Sequence, residues 1–467
     1  MGGAAALRAR FMEAKAAMTE RSFNLVEPLA HKATAMRTTD TTGRAPARSR
    51  AVSHLSNRVG DVDRSMFPAG PGIRTSTTAT RTTTTRTTSS APEPSADGYA
   101  ATDLSFAELV QAYFDCRRTK RNSNSALAFE ANLERNLRRL YDELMEGTWA
   151  PGRSICFVVM HPKPREVWAS GFRDRIVHHL LCNRVAPRFY AGFTADTCAC
   201  IPGRGTLYGA KRLESHVRSI TQNWSVPAHY LKLDLSNFFV SIRKAILRDQ
   251  LARRIHEPWW MALAETILFH DPRTDVEVRS SPELLALVPA HKRLVNAPAD
   301  TGLPIGNLSS QFFANVLLDD LDQRVKHVLR IRHYVRYVDD FILLDQSPQR
   351  LNAALADIDA FLPATLGVRL NPRKTILQPI ERGIDFVGHV IKPWRRTTRP
   401  RTLRVAMQRI KDMPGDEVFE AGNSYMGLLR QASHSHKDRS HLANALMARG
   451  HSVKGDLTKI YRKKATR

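Results

Sequence analysis

Tyr337-Val338-Asp339-Asp340 lies between two strand-like runs, Ile331 to Val335 and Phe341 to Leu344. Two adjacent carboxylates at the turn of a hydrophobic hairpin are unusual as structure alone, because burial there costs charge hydration and returns nothing. A solvated Asp-Asp turn would account for the tetrapeptide taken in isolation. Upstream, however, His229-Tyr-Leu-Lys-Leu-Asp234 is a second strand-like run that ends in an acid. Three carboxylates at two strand ends can bridge a pair of Mg²⁺ ions, the arrangement that stabilises the attacking and leaving oxygens of an in-line phosphoryl displacement.

Composition is compatible with that chemistry. The 467 residues carry 70 Lys and Arg against 45 Asp and Glu, a formal net charge of +25. Such an excess suits a phosphate-binding surface, although charge for solubility alone would look the same. The five cysteines, Cys116, Cys156, Cys182, Cys198 and Cys200, have no zinc-site spacing, and Cys198-Ala-Cys200 reads as small buried thiols. Reduced thiols and cytoplasmic residence are the expectation. No apolar run approaches the roughly 18 to 20 residues that cross a bilayer, so no membrane partner is expected.

Along the chain, residues 1–98 stand apart. Their Thr/Arg tract, Thr75-Ser-Thr-Thr-Ala-Thr-Arg81-Thr-Thr-Thr-Thr-Arg86, buries too little apolar area to offset its ordering entropy, and the whole stretch is expected to be a disordered basic extension. Order should begin near Asp103, with Ser105 capping a helix through Leu109 and Tyr113. The three- and four-residue recurrence of Phe129, Leu133, Leu137, Leu140 and Leu144 predicts one helix over about 125–145. A strand over 155–160 and a helix over 174–190 follow, in which His178 and His179 are packing residues rather than ligands. Gly203-Arg204-Gly205-Thr206 is a loop whose arginine could meet a phosphate. Helix is expected from 243 to 270, an insertion from 271 to 300, and basic helical stretches after about 396.

Further blocks share the chain with the two acidic strands. Gly302-Leu-Pro304-Ile305-Gly306-Asn-Leu-Ser-Ser-Gln311 lies between them; Leu370-Asn-Pro-Arg-Lys374 and Phe386-Val-Gly388-His389 follow; Pro162-Lys163-Pro-Arg165 and Phe172-Arg-Asp-Arg precede. In this order they resemble motifs A to E and the fingers of reverse transcriptases. The resemblance implies an α+β right-hand polymerase, with N-terminal helices and fingers over 99–229, a palm over 230–395 and a helical thumb over 396–467. It implies that Asp234, Asp339 and Asp340, with the carbonyl of Leu235, hold Mg²⁺, Mn²⁺ being a substitute. Lys163 and Arg165 would bind the triphosphate, and Lys374 would protonate the departing pyrophosphate. Phe239 would exclude a ribose 2′-hydroxyl, Ile305 and Gly306 would border the nascent pair, and Tyr337, Gln311 and Gly388 would meet primer or template. A surface lysine at 374 and a core aromatic at 239 are the plain structural alternatives.

The motif B block carries finer information. Ile305-Gly306-Asn307 followed by Ser309-Ser310-Gln311 resembles the signature of diversity-generating retroelement enzymes, which copy a template RNA with frequent errors at adenines. Partners on that reading are template RNA and its RNA/DNA hybrid, deoxynucleoside triphosphates and a small basic accessory variability protein. An apolar Ile305 lacks the polar contacts of a glutamine and would check base-pair geometry less strictly. Antiphage-defence and other unknown-group bacterial reverse transcriptases carry similar blocks and are the alternative. A catalytically silent RNA-binding protein is a third, opposed by the intact acids.

Overall fold

The computed structural model describes residues 104–118, 123–160 and 163–462. The expected extension over 1–98 lies outside them. The first helix, α1 (Phe106–Arg118), starts where the sequence predicts. Ser105 Oγ accepts from the Glu108 amide at 3.3 Å while Glu108 Oε2 accepts from the Ser105 amide at 2.9 Å, so two amides of the first turn are satisfied reciprocally. The helix expected over 125–145 is two, α2 (Asn124–Glu130) and α3 (Leu133–Met145). Asn132 leaves helical geometry at φ −133, and the Asn136 side chain donates from Nδ2 to the freed Phe129 carbonyl at 2.9 Å.

A hairpin of β1 (Ser154–Val159) and β2 (Arg165–Ser170) leads into α4 (Phe172–Tyr190) and α5 (Thr206–Ile220). Then come β3 (His229–Asp234), a single turn α6 (Phe238–Ser241), α7 (Lys244–Ala252) and α8 (Pro258–Phe269). The one helix expected over 243–270 is thus also two. Pro258 accounts for the break, since it lacks an amide and starts a helix better than it continues one. The insertion over 271–300 is packed in, not appended. Its strand β4 (Val276–Val278) pairs in parallel with β1, and α9 (Pro282–Ala286) follows. Buried Glu166 of β2 accepts from the Leu294 amide and from Trp168 Nε1, both at 2.8 Å, which clamps the insertion to the hairpin.

The central sheet contains β3, β5 (His333–Tyr337), β6 (Asp340–Asp345) and β7 (Ile376–Pro379) in the order β5-β6-β3-β7, all antiparallel. Alternation along its strands sends side chains to two cores. Leu231, Leu233, Phe341 and Leu343 join one with α4 and with α10 (Leu308–Gln323). Tyr230, Val335, Ile342 and Leu344 face the other, against Leu213, Val217 and Ile220 of α5. Helix α11 (Pro348–Phe361) packs Leu351 and Ile358 into the first core. Beyond the sheet, β8 (Ile384–Phe386), β9 (His389–Lys392) and β10 (Arg395–Thr398) form a second, three-stranded sheet whose Ile384, Phe386 and Ile391 share the α5 core.

The C-terminal segment forms α12 (Pro400–Asp412), α13 (Gly415–Leu429) and α14 (His436–Ala448), closed by the small hairpin β11 (His451–Val453) and β12 (Ile460–Arg462). It has its own core around Ile410, Val418, Met426, Leu429, Leu442 and Leu446. The cysteines form no disulfide, and Cys200 is exposed rather than buried as expected, while Cys198 is enclosed. Among the described residues no helix is long and apolar enough to cross a membrane.

Candidate active site

Strand β3 ends on Asp234, which sits directly across from Asp340, the first residue of β6. Tyr337 pairs with the same Asp340, so the connection from β5 is a two-residue turn of Val338 and Asp339. The two adjacent acids therefore do not share the turn: Asp339 lies in it and Asp340 begins the strand. Val338 adopts φ +57, a left-handed conformation that a β-branched side chain resists at a cost of about 1–3 kcal/mol. The Leu235 amide donates to the Asp339 carbonyl at 3.2 Å, and the Asn371 amide to the Asp234 carbonyl at 2.8 Å. Three carboxylates are thereby gathered at one end of the sheet.

The charges of Asp339 and Asp340 are poorly compensated. Burial pushes the Asp340 carboxyl up to about 6; the Lys232 ammonium at 3.3 Å opposes the shift, and Asp339 and Asp234 reinforce it. Its Oδ1 is buried without a hydrogen-bond partner. Asp339 is raised by burial and by Asp234, with Lys374 and Arg165 pulling the other way. Asp234 is held by Lys374, whose Nζ donates to its two oxygens at 2.7 and 2.6 Å, and by the Asn371 side chain at 3.3 Å. Among the described residues, no three His, Cys, Asp or Glu side chains stand ready-made around a metal position. The Lys374 ammonium instead neutralises Asp234 through both of its oxygens. A half-exposed lysine can leave, and the orphaned oxygen of Asp340 beside the carboxylates of Asp339 and Asp234 is a hard-oxygen donor set that would suit a divalent cation.

The block that contains Ile305 docks on the free edge of β2. Its Ile305 carbonyl accepts from the Trp168 amide at 2.7 Å, and Asn307 Oδ1 accepts from the Ser170 amide at 3.0 Å. Between them Gly306 has φ +134, and a Cβ there would lie 2.8 Å from the Trp168 carbonyl oxygen, so the close approach requires glycine. The start of the block is tied to α6, since the Leu303 amide donates to the Phe239 carbonyl at 2.8 Å. Phe239 is half-buried, its ring 5.4 Å from that of Phe238. His178 bridges Ser309 at 2.6 Å and Ser170 at 3.4 Å, and burial holds it neutral with a pKa of about 3, as a packing histidine should be.

Of the sequence-derived candidates, Asp234, Asp339, Asp340 and Lys374 are brought together, with Leu235 bonded to the turn and Arg165 within electrostatic reach at the start of β2. Tyr337 packs on the same core as the Val387-Gly388 hairpin turn, both of whose residues have positive φ, +43 and +90. Lys163 and Gln311 are exposed and stand outside the bonded cluster. Arg204 is anchored through its Nη1, which donates to the carbonyls of Thr194 and Thr197, both at 2.7 Å. Sequence reasoning missed Asn371 and the pair Arg336–Asp322. An arginine inside the β5 run, two residues before Val338, was the available signal.

Residues 165–391 match the family model described as reverse transcriptase (RNA-dependent DNA polymerase). The chain carries a reverse transcriptase domain. The domain is an RNA-directed DNA polymerase, hence a nucleotidyltransferase. It runs from the first residue of β2 through β9 and takes in every candidate above except Lys163. Protein YkfC of Escherichia coli (strain K12) is 22% identical, over 64% of this chain and 81% of that protein. Two solved structures are also similar. A telomerase from Candida albicans in complex with a TWJ fragment of telomeric RNA has a TM-score of 0.41 at 11% identity, over 64% of this chain and 55% of that one. An apo telomerase from Candida tropicalis, truncated from its C-terminal domain, has a TM-score of 0.39 at 12% identity, over 52% and 53%. The chain thus spans little more than half the length of either telomerase chain.

Proposed function

We propose that the reverse transcriptase domain copies a template RNA into cDNA by two-metal nucleotidyl transfer, with frequent errors at template adenines, as an enzyme of the diversity-generating retroelement type. The observation that carries the chemistry is the register that sets Asp234 against Asp340 with Asp339 in the adjoining turn. Bound divalent cations there would lower the charge on the attacking and leaving oxygens. Asp234, Asp339 and Asp340 hold the cations, with the Leu235 carbonyl at the same strand end. Arg165, which acts on Asp339 electrostatically, and Lys163 would bind the incoming triphosphate, where cationic donors favour the charge that develops on its phosphates. Lys374, released from Asp234, is then the ammonium placed to give a proton to the leaving pyrophosphate. The β1–β2 hairpin and its neighbours serve as fingers, the central sheet as palm and the C-terminal helices as thumb.

Two residues adjust what is copied. Phe239, held to the Ile305 block through its carbonyl, is placed to exclude a 2′-hydroxyl. Ile305 has its carbonyl committed to β2 and offers the nascent pair only apolar side-chain surface, so discrimination loses polar contacts; a tenfold loss corresponds to about 1.4 kcal/mol. A primed RNA template with all four bases tests these readings in one experiment. The unaltered chain should make cDNA with misincorporation concentrated opposite adenine, Asp339→Ala should make none, Phe239→Val should admit ribonucleotides, and Ile305→Gln should lower the adenine errors. Equal synthesis by Asp339→Ala would remove the metal assignment. Rare errors spread evenly over the four bases would favour an antiphage-defence or other unknown-group enzyme.

A further inference from the structure

Directly behind the acidic turn lies an ion pair that the reaction does not explain. Arg336 and Asp322 have side chains with 0% exposure, and burying two charges this deeply gains little stability over apolar packing. Every polar atom of the pair is committed. Arg336 Nε and Nη2 donate to the two oxygens of Asp322, each at 2.7 Å, and those oxygens also accept from Tyr334 and Thr197 hydroxyls, each at 2.6 Å. The remaining nitrogen, Nη1, donates to Asn315 Oδ1 and to the Val338 carbonyl, both at 3.1 Å. Asn315 is pinned in turn, its amide donating to the Ala199 carbonyl at 2.8 Å. The guanidinium plane is therefore fixed from α10, from β5 and from the 197–199 segment at once.

We propose that Arg336, clamped by Asp322, is a positioning residue that sets the peptide between Val338 and Asp339 and so aims the Asp339 carboxylate. The inference rests on Asp339 being a catalytic carboxylate as proposed above. All the other partners of Arg336 belong to the scaffold; the Val338 carbonyl is its one contact with the turn. That carbonyl and the Asp339 nitrogen share a peptide plane, so rotating the plane turns Asp339 about its own backbone. Val338 needs such a restraint because φ +57 is unfavourable for a branched side chain. On the far side the Asp339 carbonyl is held by the Leu235 amide, so the acid is anchored before and after its Cα. Lysine cannot replace this geometry: a single ammonium keeps the charge but not the planar fork that reaches Asp322 on one edge and Val338 on the other.

The test is single-turnover and burst kinetics of primer extension on an RNA template, with melting temperature measured in parallel. Arg336→Lys should slow the nucleotide-addition step about a hundredfold, the size expected for misplacing a catalytic group by about 1 Å, while the burst amplitude and the nucleotide KM stay near wild type. In a Val338→Gly background, where positive φ is unstrained, the same change should cost about tenfold or less. Tyr334→Phe removes one hydrogen bond from Asp322 but leaves the Val338 contact, so it should lower the melting temperature and leave the step rate unchanged. Asn315→Ala leaves the ion pair intact and frees Nη1 on one side; should Arg336→Lys fail to fold, a slower step at full amplitude in this variant carries the same conclusion. The proposal is overturned if the substitutions lower the amplitude while the surviving fraction extends at the wild-type rate, if Val338→Gly gives no relief, or if Tyr334→Phe slows the step as much as Arg336→Lys. A wild-type chain unable to extend any primer would instead overturn the proposed function, which keeps the two failures apart.

Discussion

Asp340 sits in an environment that opposes its ionisation. Its Oδ1 has no donor, and burial together with two neighbouring acids lifts its pKa to about 6 from an unfolded value near 4. A carboxyl raised in the folded state binds its proton more tightly there. Its stabilising contribution is fully present below about pH 4 and is lost as pH rises through about 6; Asp339 is shifted in the same direction. A divalent cation prefers the ionised form and should recover that loss. The melting temperature gained on adding Mg²⁺ should therefore be larger at pH 7 than at pH 5, and Asp340→Asn should shrink the difference. Thermal melts across that range, with and without Mg²⁺, read it directly. An equal Mg²⁺ effect at both pH values would mean that the acids are not the cation's ligands.

At the scale of elements, the active site depends on one loop lying against one strand edge. The segment from Gly302 to Asn307 gives β2 a hydrogen-bonding partner on the side that β1 leaves open, and this joins the first hairpin to the start of α10. The contact works because Gly306 has no side chain where the Trp168 carbonyl approaches. Gly306→Ala would add a Cβ 2.8 Å from that oxygen at a backbone angle of +134. Strain of this kind costs about 1–3 kcal/mol, released either by unfolding sooner or by lifting the loop from β2. A lower denaturant midpoint, a raised nucleotide KM, or both are expected. Wild-type values of the two would show that the loop is not held at this point. The same scale explains the two split helices, since Asn132 and Pro258 interrupt backbone hydrogen bonding within runs whose apolar periodicity continues.

For the molecule as a whole, the charge of +25 makes template affinity a property of salt as well as of fold. Each phosphate contact to a single strand should contribute about −0.7 to the slope of log affinity against log salt. Removal of residues 1–98, which precede every motif and include the Thr/Arg tract, should leave the extension rate intact and make that slope shallower by about one unit or more. Fluorescence anisotropy over a salt series, paired with extension assays, measures both; a soluble truncated chain that cannot extend would place chemistry before residue 99. Much at this scale was already legible in the linear chain. The acids at 234, 339 and 340, the glycines at 302 and 306 and the order of the blocks are local patterns, because strand ends, turns and close approaches impose their residue types locally. What the linear chain left open depends on residues far apart in it. It does not say that Asp340 belongs to a strand while Asp339 turns, that Lys374 folds back 140 positions onto Asp234, or that an insertion is clamped through Glu166. Nor does it reveal that Arg336 and Asp322 meet with no exposure to solvent. Burial and pairing of charge arise only when separate elements close over one another, and at that closure the chemistry of this site is set.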